Sequence, residues 1–253
     1  MSKFMEWCTP EEVVVSAHSV NVLRADPTKR PQAVKILAEV LPDYYAEPQR
    51  ISALLDRLGR QAVAKYVQDK LPTSTQIRSG DLGEILCNAY VLEGTVFKLG
   101  IKRLRYKDHR NMSMRGEDVL AFNLNGPSRI LNVLKAEVKS RAAMTTTVIQ
   151  EARSALDSNA DLPSAHAIAF VADRLTAVED LELRDAIDDA MLKDGLKASQ
   201  VTHMLFTFSG NNPTKLLTAN LTGYAGMTKQ SYVGLQVDLH QIFVKDVFEA
   251  VEK

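Results

Sequence analysis

Only two cysteines, Cys8 and Cys87, occur among 253 residues. Neither has a second cysteine or a histidine at zinc-ligand spacing, which excludes a disulfide framework and a structural zinc site. Histidine is equally sparse: His18, His109, His166, His203 and His240 are scattered, with no pair at metal spacing. Net charge is missing too, because 31 Lys+Arg balance 31 Asp+Glu, so bulk charge carries no sign of a nucleic-acid partner. No run approaches the ~20 apolar residues that a membrane span needs. The opening Met1-Ser-Lys-Phe-Met-Glu-Trp-Cys8 lacks the apolar stretch of a signal peptide. With free thiols suited to a reducing compartment, the expectation is a cytoplasmic protein with no membrane partner. A phosphate-cradling Gly-x-x-x-x-Gly-Lys-Ser/Thr loop is also absent, so ATP hydrolysis by this chain is not expected. Ser209-Gly-Asn-Asn-Pro213 has the composition of a turn, not of a nucleophile elbow.

What remains is an ordinary globular composition, 45% hydrophobic and 25% charged, long enough for one large domain or two small ones. The first 70 residues read as mostly helical: Val34, Leu37, Ala38 and Leu41 recur at helical spacing over 31–41, and Ile51, Leu54, Leu55 and Leu58 do so over 50–67. A polar stretch through Pro72-Thr-Ser-Thr75 to Gly80 marks a division into a helical region 1–78 and an α/β region 79–253. From there the pattern predicts a helix over 81–92, strands over 95–106, 118–124 and 129–139, and a helix over 142–156. An Asn125-Gly-Pro127 turn joins the last two of those strands. The apolar run Ala165–Ala172 reads as a buried strand, with His166 a core residue of it. An acidic amphipathic helix over 179–192, strands over 203–209 and 232–239 and a helix from Ile242 complete the pattern. Helix, three strands, helix, strand is an α/β layered order.

The chemistry concentrates in Asn132-Val-Leu-Lys-Ala-Glu-Val-Lys-Ser140. Side chains alternate faces along a strand, so Leu131, Val133, Lys135, Glu137 and Lys139 share one side, apolar at its start and charged at its end. A carboxylate there can hold a hard cation, and a lysine beside it can orient a water and steady developing phosphate charge. If the predicted hairpin folds, Asp118 approaches Glu137 from the preceding strand, and Glu84 sits on the leading helix. Carboxylates gathered this way repel one another unless a cation neutralises them. An acid-x-Lys triplet by itself carries no weight in a chain with this many charges; the ordered context does.

In that order, Glu84, Asp118, Glu137-Val138-Lys139 and Gln150 resemble the PD-(D/E)xK nuclease superfamily. The resemblance implies a restriction-endonuclease-like core, Mg²⁺ (or Mn²⁺) held by Asp118 and Glu137 with help from Glu84, and Lys139 serving the attacking water. Cleavage would leave a 5′-phosphate. Glu117 stands where the superfamily often has proline, which makes it a competitor of Asp118 as ligand. Gln150 is equally readable as a polar position on an ordinary amphipathic helix. More narrowly, Gly80-Asp-Leu-Gly-Glu84, Leu104-Arg-Tyr-Lys-Asp-His-Arg110, Met114-Arg-Gly-Glu-Asp118 and Ala136-Glu-Val-Lys-Ser140 look like the HamA family, the nuclease subunits of the bacterial Hachiman anti-phage system. That likeness implies DNA as substrate and control by an ATP-dependent helicase partner, HamB.

Charge placement agrees with a phosphate-bearing substrate. Residues 98–115 hold seven basic side chains, among them Lys102, Arg103, Arg105, Lys107, Arg110 and Arg115, against the single acid Asp108. These six are the candidate DNA contacts. Residues 173–194 hold eight acids against three basic residues and suit solvent or a protein partner. Two other functions stay open at this level: a non-catalytic DNA-binding or regulatory subunit of the same fold, and a sequence-specific restriction-type endonuclease.

Overall fold

The computed structural model describes residues 2–126 and 129–252. A single helical turn, α1 (Phe4–Trp7), leads into a hairpin of β1 (Cys8–Val15) and β2 (His18–Ala25). Helices α2 (Arg30–Val40), α3 (Pro42–Tyr45) and α4 (Pro48–Lys70) follow, α4 kinking at Gly59, whose φ is +78°. Then come α5 (Thr75–Gly94), β3 (Lys98–Leu99), β4 (Val119–Asn125), β5 (Ile130–Arg141) and α6 (Thr146–Leu156). The chain closes through α7 (Ala165–Ala172), α8 (Leu181–Asp189), β6 (Val201–Ser209), α9 (Thr214–Thr222), β7 (Lys229–Gln236) and α10 (His240–Glu252).

The strands form one seven-stranded mixed sheet in the order β1-β2-β7-β6-β5-β4-β3. β2, β7, β6 and β5 run parallel to their neighbours in that series, while β4 and β3 return antiparallel at one edge and β1 at the other. Alternation along each strand divides the core between two faces. Leu134, Ala136 and Val138 of β5, with Met204, Phe206 and Phe208 of β6, pack toward α5, α2 and α10. Leu205 and Tyr232 face α6 and α9, and Leu131 and Val133 face α7 and α8. The result is a helix–sheet–helix sandwich of mixed α/β class.

Three expectations need correction. The N-terminal region is not helical throughout: residues 8–25 form β1 and β2, where Val20 and Val22 are fully buried against α9 and β7. The strand expected over 95–106 shrinks to Lys98–Leu99, and Arg103–Tyr106 forms a 3₁₀ turn. Ala165–Ala172 is helix α7, started by the Ser164 hydroxyl, which accepts from the Ala167 N–H. His166 consequently lies exposed on α7 and is not a core residue. The strand that completes helix, three strands, helix, strand is β6, reached after α7 and α8. Two further features bear on the expected layout. β4 and β5 pair as the expected hairpin, from Val119↔Ala136 to Asn125↔Ile130, and Pro127 of the turn lies outside the described residues. Helix α5 runs without a break across the 78/79 position.

Candidate active site

Asp118 stands one residue before β4, opposite Glu137 in the hairpin register. Its Oδ2 accepts the Val138 N–H at 2.8 Å, which fixes the carboxylate against the strand that carries Glu137. On β5 the pleat turns Glu137 and Lys139 to one side, and Lys139 Nζ donates to Glu137 Oε1 at 2.6 Å. Both side chains remain accessible, at 16% and 22%. Glu84 enters from α5, nearly buried, its Oε2 without a hydrogen-bond partner among the described residues and the Arg103 Nε 3.7 Å away.

These acids disturb one another. Burial, and then the charge of Glu137, pushes the Asp118 carboxyl up to about 7, against the downward pull of the Val138 N–H and of Arg103. Burial and the charge of Asp118 hold the Glu84 carboxyl well above the usual carboxylate range, again opposed by Arg103. A carboxylate so placed is stabilised by any further positive charge. The oxygens of Glu84, Asp118 and Glu137 do not close within 4.8 Å of one another among the described residues. The set that does so is Asp157, Asp161 and His203. There, however, the Arg153 guanidinium pairs with Asp157 and donates to His203 Nδ1 at 2.8 Å, while His203 Nε2 donates to the Asp161 carbonyl at 2.8 Å. A guanidinium already supplies the positive charge, and both imidazole nitrogens are engaged. Asp118, Glu137 and Glu84, with an orphaned carboxylate oxygen, are the better match to a hard divalent cation.

Glu117, the rival of Asp118, is used elsewhere. Its Oε1 accepts the Ser164 N–H at 2.6 Å and its Oε2 the Ser164 hydroxyl at 3.0 Å, tying the start of α7 to the β4 approach. Lys135 shares the Glu137 face but is buried, donating to the carbonyls of Leu156, Ser158 and Leu162. Gln150 is exposed on α6 and lines a separate cleft of about 620 Å³ with Arg153, Asp157 and Tyr224; none of the four residues Glu84, Asp118, Glu137 and Lys139 forms its wall.

The basic segment is largely spent within the chain. Lys102 pairs with Asp43, Arg105 with Asp43 and Glu47, Lys107 with the buried Asp81 at 2.8 Å, and Arg103 with Glu84. Arg110 reaches the Asp69 carbonyl at 3.5 Å, and Arg115 is exposed. Arg103, one of the six expected DNA contacts, also borders the acid cluster through Glu84. A cleft of about 380 Å³ opens beside Asp118, walled by Arg103, Tyr106, Phe170 and Arg174. The last two lie on or just after α7, and the strand assignment of that segment hid them. A visible signal was the Phe170–Arg174 spacing of four, which puts both on one helix face.

Comparison with known proteins adds identity to geometry. A family model described as HamA matches residues 2–251. The chain is also 25% identical over 255 residues to the Hachiman protein HamA of Bacillus cereus, an alignment covering 98% of this chain and 90% of that protein.

Proposed function

We propose that this chain, which belongs to the HamA family, is a metal-dependent DNA nuclease that serves anti-phage defence under the control of a partner helicase. The similarity to a Hachiman protein supports the defence role, and the same system implies a HamB partner. The observation that carries the nuclease reading is the crowding of Glu84, Asp118 and Glu137 beside Lys139 at one end of antiparallel β4 and β5. The run α5-β3-β4-β5-α6 followed by β6, with β3, β4 and β5 antiparallel and β6 parallel to β5, supports the PD-(D/E)xK core.

Asp118 and Glu137 would hold the Mg²⁺, with Glu84 behind them. When bound, the ion would neutralise these acids and supply Lewis acidity toward a phosphodiester oxygen. The Lys139 ammonium orients the Glu137 carboxylate and lies where it can position a water and steady the charge that grows on the phosphate as that water attacks. Arg103, next to Glu84 and Asp118, limits the repulsion among the acids in the absence of substrate.

The test pairs metal stripping with two substitutions. Cleavage should vanish in EDTA and return with Mg²⁺ or Mn²⁺, while Ca²⁺ supports binding without comparable hydrolysis. Glu137→Gln and Lys139→Ala should each lower the cleavage rate by roughly 100-fold or more, the scale of a lost electrostatic or acid–base contribution. Neither residue fills the core, and Glu137→Gln removes repulsion on Asp118, so its melting temperature should equal or exceed that of the parent. Parent-level cleavage by either variant, or full activity after rigorous metal removal, would refute the reading.

A further inference from the structure

The cleft beside Asp118 has a composition that phosphodiester hydrolysis alone does not require. Arg174 lays its guanidinium over the Phe170 ring at 3.5 Å and lies 4.9 Å from the Tyr106 ring, and those two rings meet edge to face at 5.9 Å. Met112 and Met114 add apolar surface to the lining. Toward the acids, Arg103 presents Nε and Nη2 that are buried and have no hydrogen-bond partner among the described residues. An aromatic and guanidinium wall at one side and an unsatisfied guanidinium at the other match the two halves of a nucleotide, a flat base and a phosphate.

We propose that this cleft receives one unpaired nucleotide of the strand being cut, its base against Tyr106, Phe170 and Arg174 and its phosphate toward Arg103. The inference rests on the nuclease reading and specifies its substrate as single-stranded or frayed DNA. A volume of about 380 Å³ admits a single nucleotide. Bases inside a B-form duplex are stacked and out of reach until they are extruded. Stacking on such a wall tolerates any base, since every base has a π-face, so the cleft selects strand state without selecting sequence. Asp118 lies on the same lining, so an occupied cleft sets the sugar–phosphate chain next to the acids.

Binding measured in Ca²⁺ tests this apart from catalysis. The full chain is titrated against a fluorescent single strand, the same sequence as a blunt duplex, and a strand with abasic sites through its centre. The intact single strand should bind at least about ten-fold tighter than either other probe. Phe170→Ala should weaken it about 5- to 150-fold while leaving the abasic strand unchanged, the range for loss of one stacked base. If Phe170→Ala does not fold, Tyr106→Leu on the other ring carries the same expectation. Equal affinity for all three probes, or unchanged single-strand affinity in a variant of parental melting temperature, would overturn the proposal. So would a free deoxynucleoside monophosphate that competes as well as the strand, which would make the occupant a free nucleotide. Base-dependent binding without cleavage in any metal would sink the nuclease reading and leave the nucleotide site standing. Cleavage without base-dependent binding would do the reverse.

Discussion

At Gly83, helix α5 lies so close on β5 that a Cβ there would sit 3.1 Å from Val138 Cγ1 and 3.2 Å from Ser140 Cβ. Val138 is the residue whose N–H holds Asp118, so this approach sets the spacing of the acid cluster. Gly80, one turn earlier on the same helix, is exposed and would place its Cβ in open space. The two therefore respond oppositely to alanine. Gly80→Ala should gain up to ~1 kcal/mol from helix propensity. Gly83→Ala gains the same but meets an overpacking cost of roughly 1–3 kcal/mol, for a net loss, and moves Val138. Urea midpoints measure both, and equal gains at the two sites would show that α5 can lift off β5 without strain. His240 offers a second single-residue test. Its Nε2 bonds the Ser140 hydroxyl at 3.0 Å, its ring lies 4.2 Å from Phe208, and its Nδ1 has no partner among the described residues. Burial pushes its pKa down to about 4. The unfolded chain thus binds the proton more readily between pH 6.5 and 4, and stability is present above that window and falls as pH drops through it. His203 shifts the same way, while Asp118, Glu84 and Asp81 shift upward and act oppositely. The informative quantity is the difference between the parent and His240→Asn. The parent should lose more melting temperature from pH 6.5 to 4 than the variant, and parallel curves would remove His240 from the account.

Along β5, one face carries three charged side chains with different tasks, and the period-2 pattern that groups Lys135, Glu137 and Lys139 cannot distinguish them. Lys135 closes the C-terminal end of α6 by donating to carbonyls of Leu156, Ser158 and Leu162, around a loop in which Asn159, Ala160 and Asp161 all have positive φ. Lys135→Met keeps most of the buried stem but strands those carbonyls, so it should cost roughly 2–4 kcal/mol and expose residues 157–162 to proteolysis. The folded fraction should cut DNA at the parental rate, and a lost rate at full stability would instead place Lys135 in the chemistry. The same element shows what is legible in the sequence. Glu137 and Lys139 followed from strand alternation, and the long helices α4 and α5 from apolar spacing. Asp118 followed from the predicted hairpin, which sets it opposite Glu137, and the resemblance then joined Glu84 on the leading helix to that set, because no spacing rule links a helix to a strand beyond an irregular segment. Ala165–Ala172 misled because a short apolar run fits a buried strand as well as a buried helix face. The Ser164 cap and four alanines decided for helix. Residues 8–25 misled in the opposite way, since Val13, Val14 and Val15 in succession show no clean period of two. Arg103 lies in a 3₁₀ turn, where no periodicity announces a partner.

For the molecule as a whole, the distribution of charge bears on how DNA reaches the site. Lys102, Arg105 and Lys107 neutralise Asp43, Glu47 and Asp81, so these side chains have little left for a phosphate backbone. On the proposed nuclease reading, a basic segment with few open cations should release few counterions, so that segment alone should grip DNA weakly. If the chain is the proposed nuclease, so slight a grip calls for another subunit to deliver the strand, and a helicase would deliver the unpaired strand proposed for the cleft beside Asp118. The acidic segment 173–194 presents exposed Glu179 and Asp189, with Val178 82% and Leu192 83% exposed among them. Apolar side chains set in a charged surface are what a protein partner covers, and complementary charge brings it into register. The chain should therefore co-purify with its HamB-type helicase. Glu179→Lys with Asp189→Lys should weaken that complex at least ten-fold while leaving the melting temperature near parental, since neither side chain is buried. DNA breakdown by the assembled pair should require ATP, since on this scheme strand separation is the step that the partner controls. Equal breakdown of intact plasmid with and without ATP would defeat this scheme, as would full activity of the nuclease chain alone on duplex. Retention of the complex by the double variant would move the docking surface to the N-terminal helices α2 and α4.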